Sequence, residues 1–275
     1  MKILLNDILQ LKNLDKVKLR FNLHFGNKKI PAIDYFVCGK IDEMLNGQYW
    51  NYSKKRNFKD GDVTLGFVQL PKRKDCWLLF HVGQVTKDLN IQNGVGYDYK
   101  YLNDYDKYLG RIIISFKNEV QNLIRKAETT IDECEIVEIL PQPYSGEVFP
   151  GYDNVNVSWR MLEYLIKNLS WRTALANQKG VYLLRDLSNG KKYVGSAYGQ
   201  DMLLSRWEQY IKTSHGGNVE LKELVKKNPD YIKDNFYFSI LETFNNNIND
   251  QDIIDRETYW KDVLMTRDNF GYNKN

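Results

Sequence analysis

Histidine and cysteine are scarce in this sequence, three of each among 275 residues. Cys38, Cys76 and Cys134 are odd in number and far apart, so they spell neither a CxxC pair nor a disulfide framework, which favours a reducing, cytoplasmic setting. His24, His81 and His215 have no nearby Cys or second His of the kind a structural zinc uses. An apolar run of about 18 residues is also missing, so no membrane span is expected. The opening stretch MKILLNDILQLKNLDK breaks its short apolar run with acids and amides, unlike a secretory leader. Charge of one sign is lacking too. The net charge is only +4, and from Trp171 onward 15 Lys/Arg face 14 Asp/Glu. Any phosphate-binding surface must therefore come from local arrangement, not bulk charge.

Prolines are few, six in all, yet Pro141, Pro143 and Pro150 fall within ten residues beside Gly146 and Gly151. That cluster marks a boundary. It divides the chain into a mainly β N-terminal domain (1–145), a linker with connecting helices (146–178) and a C-terminal domain (179–275). In the first part, VKLRFNLHF (17–25) alternates as a half-buried strand does. Further strands are expected at 63–68, 77–82, 111–116 and 135–140, with a basic turn, Pro71-Lys72-Arg73-Lys74-Asp75, after the second. Five or more unevenly spaced strands suggest a small barrel or sandwich. Tyr97, Tyr99 and Tyr101 fall at period two, which gives either a base-stacking platform or tyrosines covering a core edge. The cluster Trp50, Tyr52, Lys54, Lys55, Arg56 mixes aromatic and basic groups as nucleic-acid surfaces do, or forms a solvated loop.

In the linker, Ser158 opens a helical pattern with Met161, Leu162, Leu165 and Ile166 on one face, and Ser170 is the expected N-cap of a second helix reaching about Asn177. The stretch GVYLLRDLSNGKKYVG (180–195) then reads as two β runs joined by a turn, with Asn189-Gly190 as the hairpin signal. Tyr182 and Tyr193 are expected to face a common site across this hairpin. A helix over about 200–212 has Leu203, Trp207 and Ile211 as its apolar stripe, with Arg206 and Tyr210 together on the neighbouring face. His215 follows in a Gly-rich loop, read as an exposed loop histidine with proton transfer as the alternative. A helix at 220–227 and a strand at 236–241 come next. On the last helix, about 250–264, Ile253, Glu257, Trp260 and Leu264 share a face, which puts a carboxylate on an apolar stripe. Such an acid needs a partner, either a cation such as Arg206 in a salt bridge or a divalent metal.

Gly180-Val181-Tyr182 and Tyr193-Val194-Gly195 resemble the two half-motifs of the GIY-YIG nuclease superfamily, and the likeness extends over about 180–275. It implies an α+β architecture: a small antiparallel three-stranded sheet flanked by helices, preceded here by a mainly β, barrel-like domain. The run WLLFHVGQVT (77–86) looks faintly like a strand of PUA-like or ASCH-like nucleic-acid-binding domains. The resemblance further implies catalytic roles for Tyr182, Tyr193, Arg206, Tyr210, Glu257 and Asn273, with Glu257 as the ligand of Mg²⁺ or Mn²⁺. Tyr182 is the expected base for water, Arg206 the neutraliser of phosphate charge, and the Asn273 amide orients a neighbour or a phosphate oxygen. Ser196 departs from relatives that carry Lys there, and Lys191 or Lys192 could take that role. The expected function is a divalent-metal-dependent DNA endonuclease, such as a restriction or phage-defence enzyme whose N-terminal domain chooses the target. A homodimer would serve double-strand cleavage. The alternatives are an RNA-directed nuclease and a nucleic-acid-binding protein with little or no catalysis.

Overall fold

The computed structural model describes residues 2–25, 30–52, 56–71, 73–119, 121–200 and 202–274. Lys54 and Lys55 of the aromatic and basic cluster, and Lys72 of the basic turn, lie outside the described residues. The chain forms two compact units, Met1–Ser145 and Gly146–Asn275, and the fold is mixed α+β. No helix among the described residues is long and apolar enough to cross a membrane.

In chain order the first unit runs α1 (Leu5–Leu9), β1 (Val17–Asn22), β2 (His24–Phe25), β3 (Ile30–Pro31), α2 (Ala32–Val37), α3 (Ile41–Gln48) and β4 (Trp50–Asn51). It continues with β5 (Val63–Gln69), β6 (Cys76–Asp88), β7 (Gly94–Val95), β8 (Tyr97–Tyr101), β9 (Ile112–Ser115), β10 (Ile124–Lys126), α4 (Ala127–Thr130) and β11 (Glu135–Ile139). Seven strands join in the order β10-β1-β5-β6-β9-β11, with β8 also paired to β6. The β1–β5 pair is parallel, and α2, α3 and β4 form its crossover. Strand β6 pairs β9 through its first residues and β8 through its last, so the sheet curls along it. Among the described residues β10 and β11 do not pair, so the sheet is an open, curled half-barrel and not a closed one.

Alternation along the strands puts apolar side chains on both faces. Phe21, Leu65, Phe67, Trp77 and Leu79 share one core, while Val68, Leu78, Phe80 and Ile113 share the other with Met44 and Leu45 of α3. This second core also absorbs most of the tyrosine run. Tyr97 is 1% exposed and Tyr99 stacks on Tyr49 with ring centroids 4.1 Å apart. Only Tyr101 is exposed, so the core-edge reading applies and no stacking platform forms. Arg56 is engaged as well: it pairs with Asp88 at 3.3 Å and donates to the Ile91 carbonyl at 2.9 Å.

The second unit contains β12 (Asn156–Ser158), α5 (Trp159–Leu165), α6 (Leu169–Ala176), β13 (Lys179–Asp186), β14 (Lys192–Ala197), α7 (Met202–Thr213), α8 (Val219–Lys227), α9 (Tyr231–Asn235), β15 (Phe236–Phe244) and α10 (Asp250–Val263). Its antiparallel sheet has four strands and not three, in the order β12-β15-β13-β14. The extra strand is three residues long, too short to show a period, and it lies within the segment expected as a linker. Ser158 caps α5 by accepting from the Met161 amide at 3.2 Å. The cap of α6 is Asn168, not Ser170: the Asn168 carboxamide accepts from the Ser170 amide at 2.9 Å. Helix α10 packs on the sheet face that carries Val181, Leu183 and Val194. The opposite face carries Tyr182, Leu184 and Tyr193, and α7 brings Trp207 and Tyr210 to that side.

Candidate active site

The antiparallel register of β13 and β14 sets Tyr182 opposite Gly195 and Leu184 opposite Tyr193. Opposed residues point to the same face, so the two tyrosines share it, as their spacing suggests. The connecting loop is longer than a two-residue Asn-Gly turn. The Gly190 amide donates to the Asp186 carbonyl at 2.8 Å, and Gly190 takes the left-handed conformation (φ +79°) that closes the loop. Gly195 is held to glycine for a different reason: a Cβ there would come within 2.6 Å of Tyr182 Cζ and would collide with its hydroxyl. The Tyr182 phenol therefore lies against bare backbone of the opposite strand.

Helix α7 closes this face. Arg206 Nε donates to Tyr182 Oη at 2.9 Å, and Tyr182 Oη shares a hydrogen bond of 3.2 Å with Tyr210 Oη. The guanidinium lies 5.2 Å from the Tyr210 ring centroid, and its Nη1 donates to the Gly216 carbonyl at 2.9 Å and to Gln209 Oε1 at 2.6 Å. Gly216, at φ +55° and packed on the Tyr210 ring, lets the loop after α7 turn back onto Arg206. Burial pushes the Tyr182 and Tyr210 phenols above the ordinary tyrosine range, although the Arg206 charge pulls both down. Burial works against the Arg206 charge in turn, but its coupling to Tyr182 and Tyr210 outweighs this and raises its pKa. The cation is permanent.

To act as the expected base for water, Tyr182 needs nearby positive charge to lower its pKa. The hydrogen bond is in place, yet Tyr182 is 0% exposed and burial dominates. Tyr193 differs. It is half-buried, its ring lies 6.5 Å from that of Tyr210, and among the described residues its hydroxyl has no hydrogen-bond partner. Of the three tyrosines, it alone reaches solvent.

Glu257 comes from the other side of the hairpin. It is half-buried on α10, its Oε1 pairs with Lys261 Nζ at 2.8 Å, and its Oε2 accepts from Ser196 Oγ. Its salt-bridge partner is thus the lysine one turn along, not Arg206. The Glu–Lys spacing of four was a legible signal for this pair. Lys261 itself is 5% exposed. Ser196 tethers this carboxylate to β14. Lys191 lies with its ammonium 5.7 Å from the centroid of the Tyr272 ring. Asn273 is buried and both ends of its amide are committed: Oδ1 accepts from the Val194 amide at 2.9 Å and Nδ2 donates to the Val194 carbonyl at 2.8 Å. It clamps Val194 between Tyr193 and Gly195.

Sequence reading missed what fixes Asn273 in place. Asp186, 0% exposed, accepts from Tyr272 Oη at 2.6 Å and Tyr231 Oη at 2.8 Å, and from the Ser188 amide and hydroxyl at 2.9 and 2.7 Å. This buried carboxylate ties the hairpin loop to α9 and to the segment bearing Asn273, and four donors offset its lost hydration. His215 is half-exposed in the loop after α7, and its Nδ1 accepts from the Gly217 amide at 2.9 Å. Burial and Lys222 lower its pKa.

The structure thus gathers Tyr182, Tyr193, Arg206 and Tyr210 on one face of the hairpin, while Glu257 meets β14 from the α10 side through Ser196. Residues 178–273 match the family of the GIY-YIG catalytic domain. The chain carries a GIY-YIG nuclease domain. Its enzyme class is accordingly a GIY-YIG-type endonuclease. Among solved structures, a mutant of the catalytic domain of intron endonuclease I-TevI is 27% identical over 35% of this chain and 92% of its own, with a TM-score of 0.28. A second structure, of the catalytic domain of homing endonuclease I-TevI, is 28% identical over 35% of this chain and 98% of its own, also with a TM-score of 0.28. No curated protein matches the chain. GIY-YIG nucleases are generally divalent-metal dependent. Among the described residues of this GIY-YIG domain no three His, Cys, Asp or Glu side chains converge. The single carboxylate of Glu257 still fits a hard cation such as Mg²⁺, which keeps several waters and takes its other ligands from substrate phosphate.

Proposed function

We propose that this protein is a divalent-metal-dependent DNA endonuclease that hydrolyses phosphodiester bonds at the Tyr182–Arg206–Tyr210 face of the hairpin. The hydrogen bond from Arg206 Nε to Tyr182 Oη carries this reading, because it fixes a permanent cation beside a buried phenol. Arg206 keeps part of its guanidinium open to solvent, and there it binds a phosphate and stabilises the charge that builds on the phosphoryl oxygens. Glu257 would hold Mg²⁺ or Mn²⁺, which when bound supplies Lewis-acid charge at the phosphate and at the leaving 3′-oxygen. Asn273 keeps β14 in register so that Tyr193 stays presented to the substrate.

The proton of the attacking water has two candidate acceptors. A Tyr182 phenolate would be stabilised by the Arg206 Nε–H and by the Tyr210 hydroxyl. The second reading places the base at Tyr193, and its solvent-reaching, unpartnered hydroxyl favours that. A plasmid-cleavage assay separates them. Cutting with Mg²⁺ should disappear with EDTA and fall at least about 100-fold in Glu257→Ala. Tyr182→Phe and Tyr193→Phe should differ, and the larger loss of kcat, with loss of the alkaline dependence of rate, marks the base. Full cutting in EDTA or by Glu257→Ala would overturn the metal-dependent reading.

The first unit is proposed to choose the target, as in a restriction or phage-defence enzyme. A homodimer would bring two such sites to the two strands of a duplex. The sizes of the products and the mass of the protein in solution test both points.

A further inference from the structure

The first unit contains a cavity of about 450 Å³ whose walls are Phe25, Tyr35, Trp50 and Tyr52, within the size range of small-molecule sites. Phe25 meets Tyr35 edge-on at 5.6 Å, and Trp50 and Tyr52 stand 6.2 Å apart at 46°. Tyr52 is 65% exposed and leaves one side open. At the polar edge the Glu43 carboxylate and the Asn46 and Asn93 amides provide both acceptors and donors. The wall is built rigidly. Buried Arg20 donates from Nη1 to the carbonyls of Gln48 and Trp50 at 2.8 and 2.9 Å, and β4 pairs Trp50 with Val95. Asn51, fully buried, donates to the Ile91 carbonyl at 3.0 Å and accepts at its own carbonyl from the Asn93 amide at 2.7 Å.

A second groove of about 470 Å³ in the same unit is lined by Lys16, Lys18, Arg56, Lys59, Arg125 and Lys126. Three carboxylates also line it: Asp15, Asp60 and Asp62. Two of these are occupied as backbone caps, Asp60 for the Asp88 amide at 2.7 Å and Asp62 for the Lys59 amide at 2.9 Å. Lys18 on β1 stands directly opposite Lys126 on β10; Lys18 Nζ donates to the Asp15 carbonyl at 3.2 Å, and Lys126 Nζ pairs with Glu128 at 3.1 Å. Among the described residues the side chains of Lys16, Lys59 and Arg125 pair with no carboxylate. Cavity and groove are neighbours. Tyr52 lines one and Arg56 the other, at most about 14 Å apart along the chain, and the Ile91 carbonyl accepts from both Asn51 and Arg56.

We propose that the first unit binds a DNA strand with its sugar–phosphate backbone along the basic groove and takes one unpaired or extruded base into the aromatic cavity. Planar walls suit the face of a base, Glu43 accepts from an exocyclic amino group, and the cationic groove next to the cavity matches the charge that accompanies every base of a strand. This rests on the reading of the protein as a DNA endonuclease, and it makes the first unit a sensor of a base that can leave the helix.

The full-length protein in EDTA tests it without any need for cutting. Binding is measured by anisotropy to labelled oligonucleotides: a matched duplex, the same duplex with one mismatch, a single DNA strand and the corresponding RNA strand. The wild type should prefer the mismatched duplex and the single DNA strand over the matched duplex by about tenfold or more. Trp50→Ala with Tyr52→Ala should abolish that preference and leave matched-duplex binding unchanged, and Tyr52→Ala alone, at an exposed position, should show the same trend without a folding defect. Lys18→Gln with Lys126→Gln should weaken all DNA binding and flatten its salt dependence by about 1–2 in slope. No preference in the wild type, or one that survives Trp50→Ala with Tyr52→Ala, overturns the proposal. Tighter binding of the RNA strand, lost in the same variants, overturns its assignment to DNA. If the variants lose the preference while the wild type cuts no plasmid, the cavity stands and the nuclease reading fails. If plasmid is cut but the variants bind as wild type does, the reverse holds.

Discussion

Each unit buries a tyrosine hydroxyl against a side-chain nitrogen, with a second hydroxyl beside it. In the first unit Tyr49 Oη lies 2.8 Å from His81 Nε2 and 2.8 Å from Thr64 Oγ1. In the second, Tyr182 Oη lies 2.9 Å from Arg206 Nε and 3.2 Å from Tyr210 Oη. The local geometry is nearly the same, but the electrostatics are opposite. His81 is 1% exposed with rings of Tyr49, Tyr99 and Tyr101 around it, and burial drives its pKa down to about 4, so it is neutral at pH 7. Arginine does not give up its charge at such a cost, and Arg206 is only half-buried. A histidine in this position yields a closed structural pair. An arginine yields a charged group poised for an anion.

Replacing the cation should separate the two most sharply. Arg206→Lys keeps the charge but cannot supply both the Nε bond to Tyr182 and the Nη1 bond to the Gly216 carbonyl. Cleavage should fall roughly 1,000-fold, equivalent to about 4 kcal/mol, with DNA binding reduced far less. Cleavage within tenfold of wild type would mean that charge alone suffices and that the fork is structural.

Acid is the matching probe of the first pair. The folded-state pKa of His81, about 4, lies below its unfolded value near 6.5, so the unfolded chain binds the extra proton between those values. Stability from this group is complete above about pH 6.5 and is lost as pH falls toward 4, a loss of roughly 3 kcal/mol. Urea melts at pH 7, 5.5 and 4 should show it, and His81→Gln should flatten the profile while lowering stability at pH 7. An unchanged slope in His81→Gln would remove His81 as its source.

What the sequence disclosed follows the range of the interaction. The hairpin strands, the Ser158 cap and the last helix depend on neighbours within a few residues, and their patterns are local. The Asn168 cap shows how fine even local reading must be, since Asn168 and Ser170 are both good cap residues two positions apart. Glu257 was legible as a carboxylate in need of a partner, but its position relative to the hairpin was not. Helical periodicity gives a face and not the neighbour that face meets, so Ser196 emerged only from the structure, whereas Lys261, four residues on along the same helix, was open to local reading. Asp186 was invisible because two of its donors, Tyr231 and Tyr272, are 45 and 86 residues away. The tyrosines at 97, 99 and 101 had the right period for either of two faces, and the curl of β6 decided between them.

The smallest and finest contrast removes the second hydroxyl from each pair. Thr64→Val is nearly isosteric and leaves Tyr49 with His81, while Tyr210→Phe leaves Tyr182 with Arg206. Each deletes a buried tyrosine hydrogen bond, and Thr64→Val also a longer one to the Gly83 carbonyl, so each should cost about 1 kcal/mol in a urea melt. Their effects on cleavage should diverge. Thr64→Val alters a closed, neutral pair and should leave kcat unchanged. Tyr210→Phe takes away a donor that would stabilise charge on the Tyr182 oxygen, and kcat should fall about tenfold with KM little altered. If Tyr210→Phe cuts at the wild-type rate, the Tyr182 oxygen carries no charge in the rate-limiting step. Tyr182 would then be to the second unit what Tyr49 is to the first, a buried support, and the chemistry would move to the half-buried Tyr193.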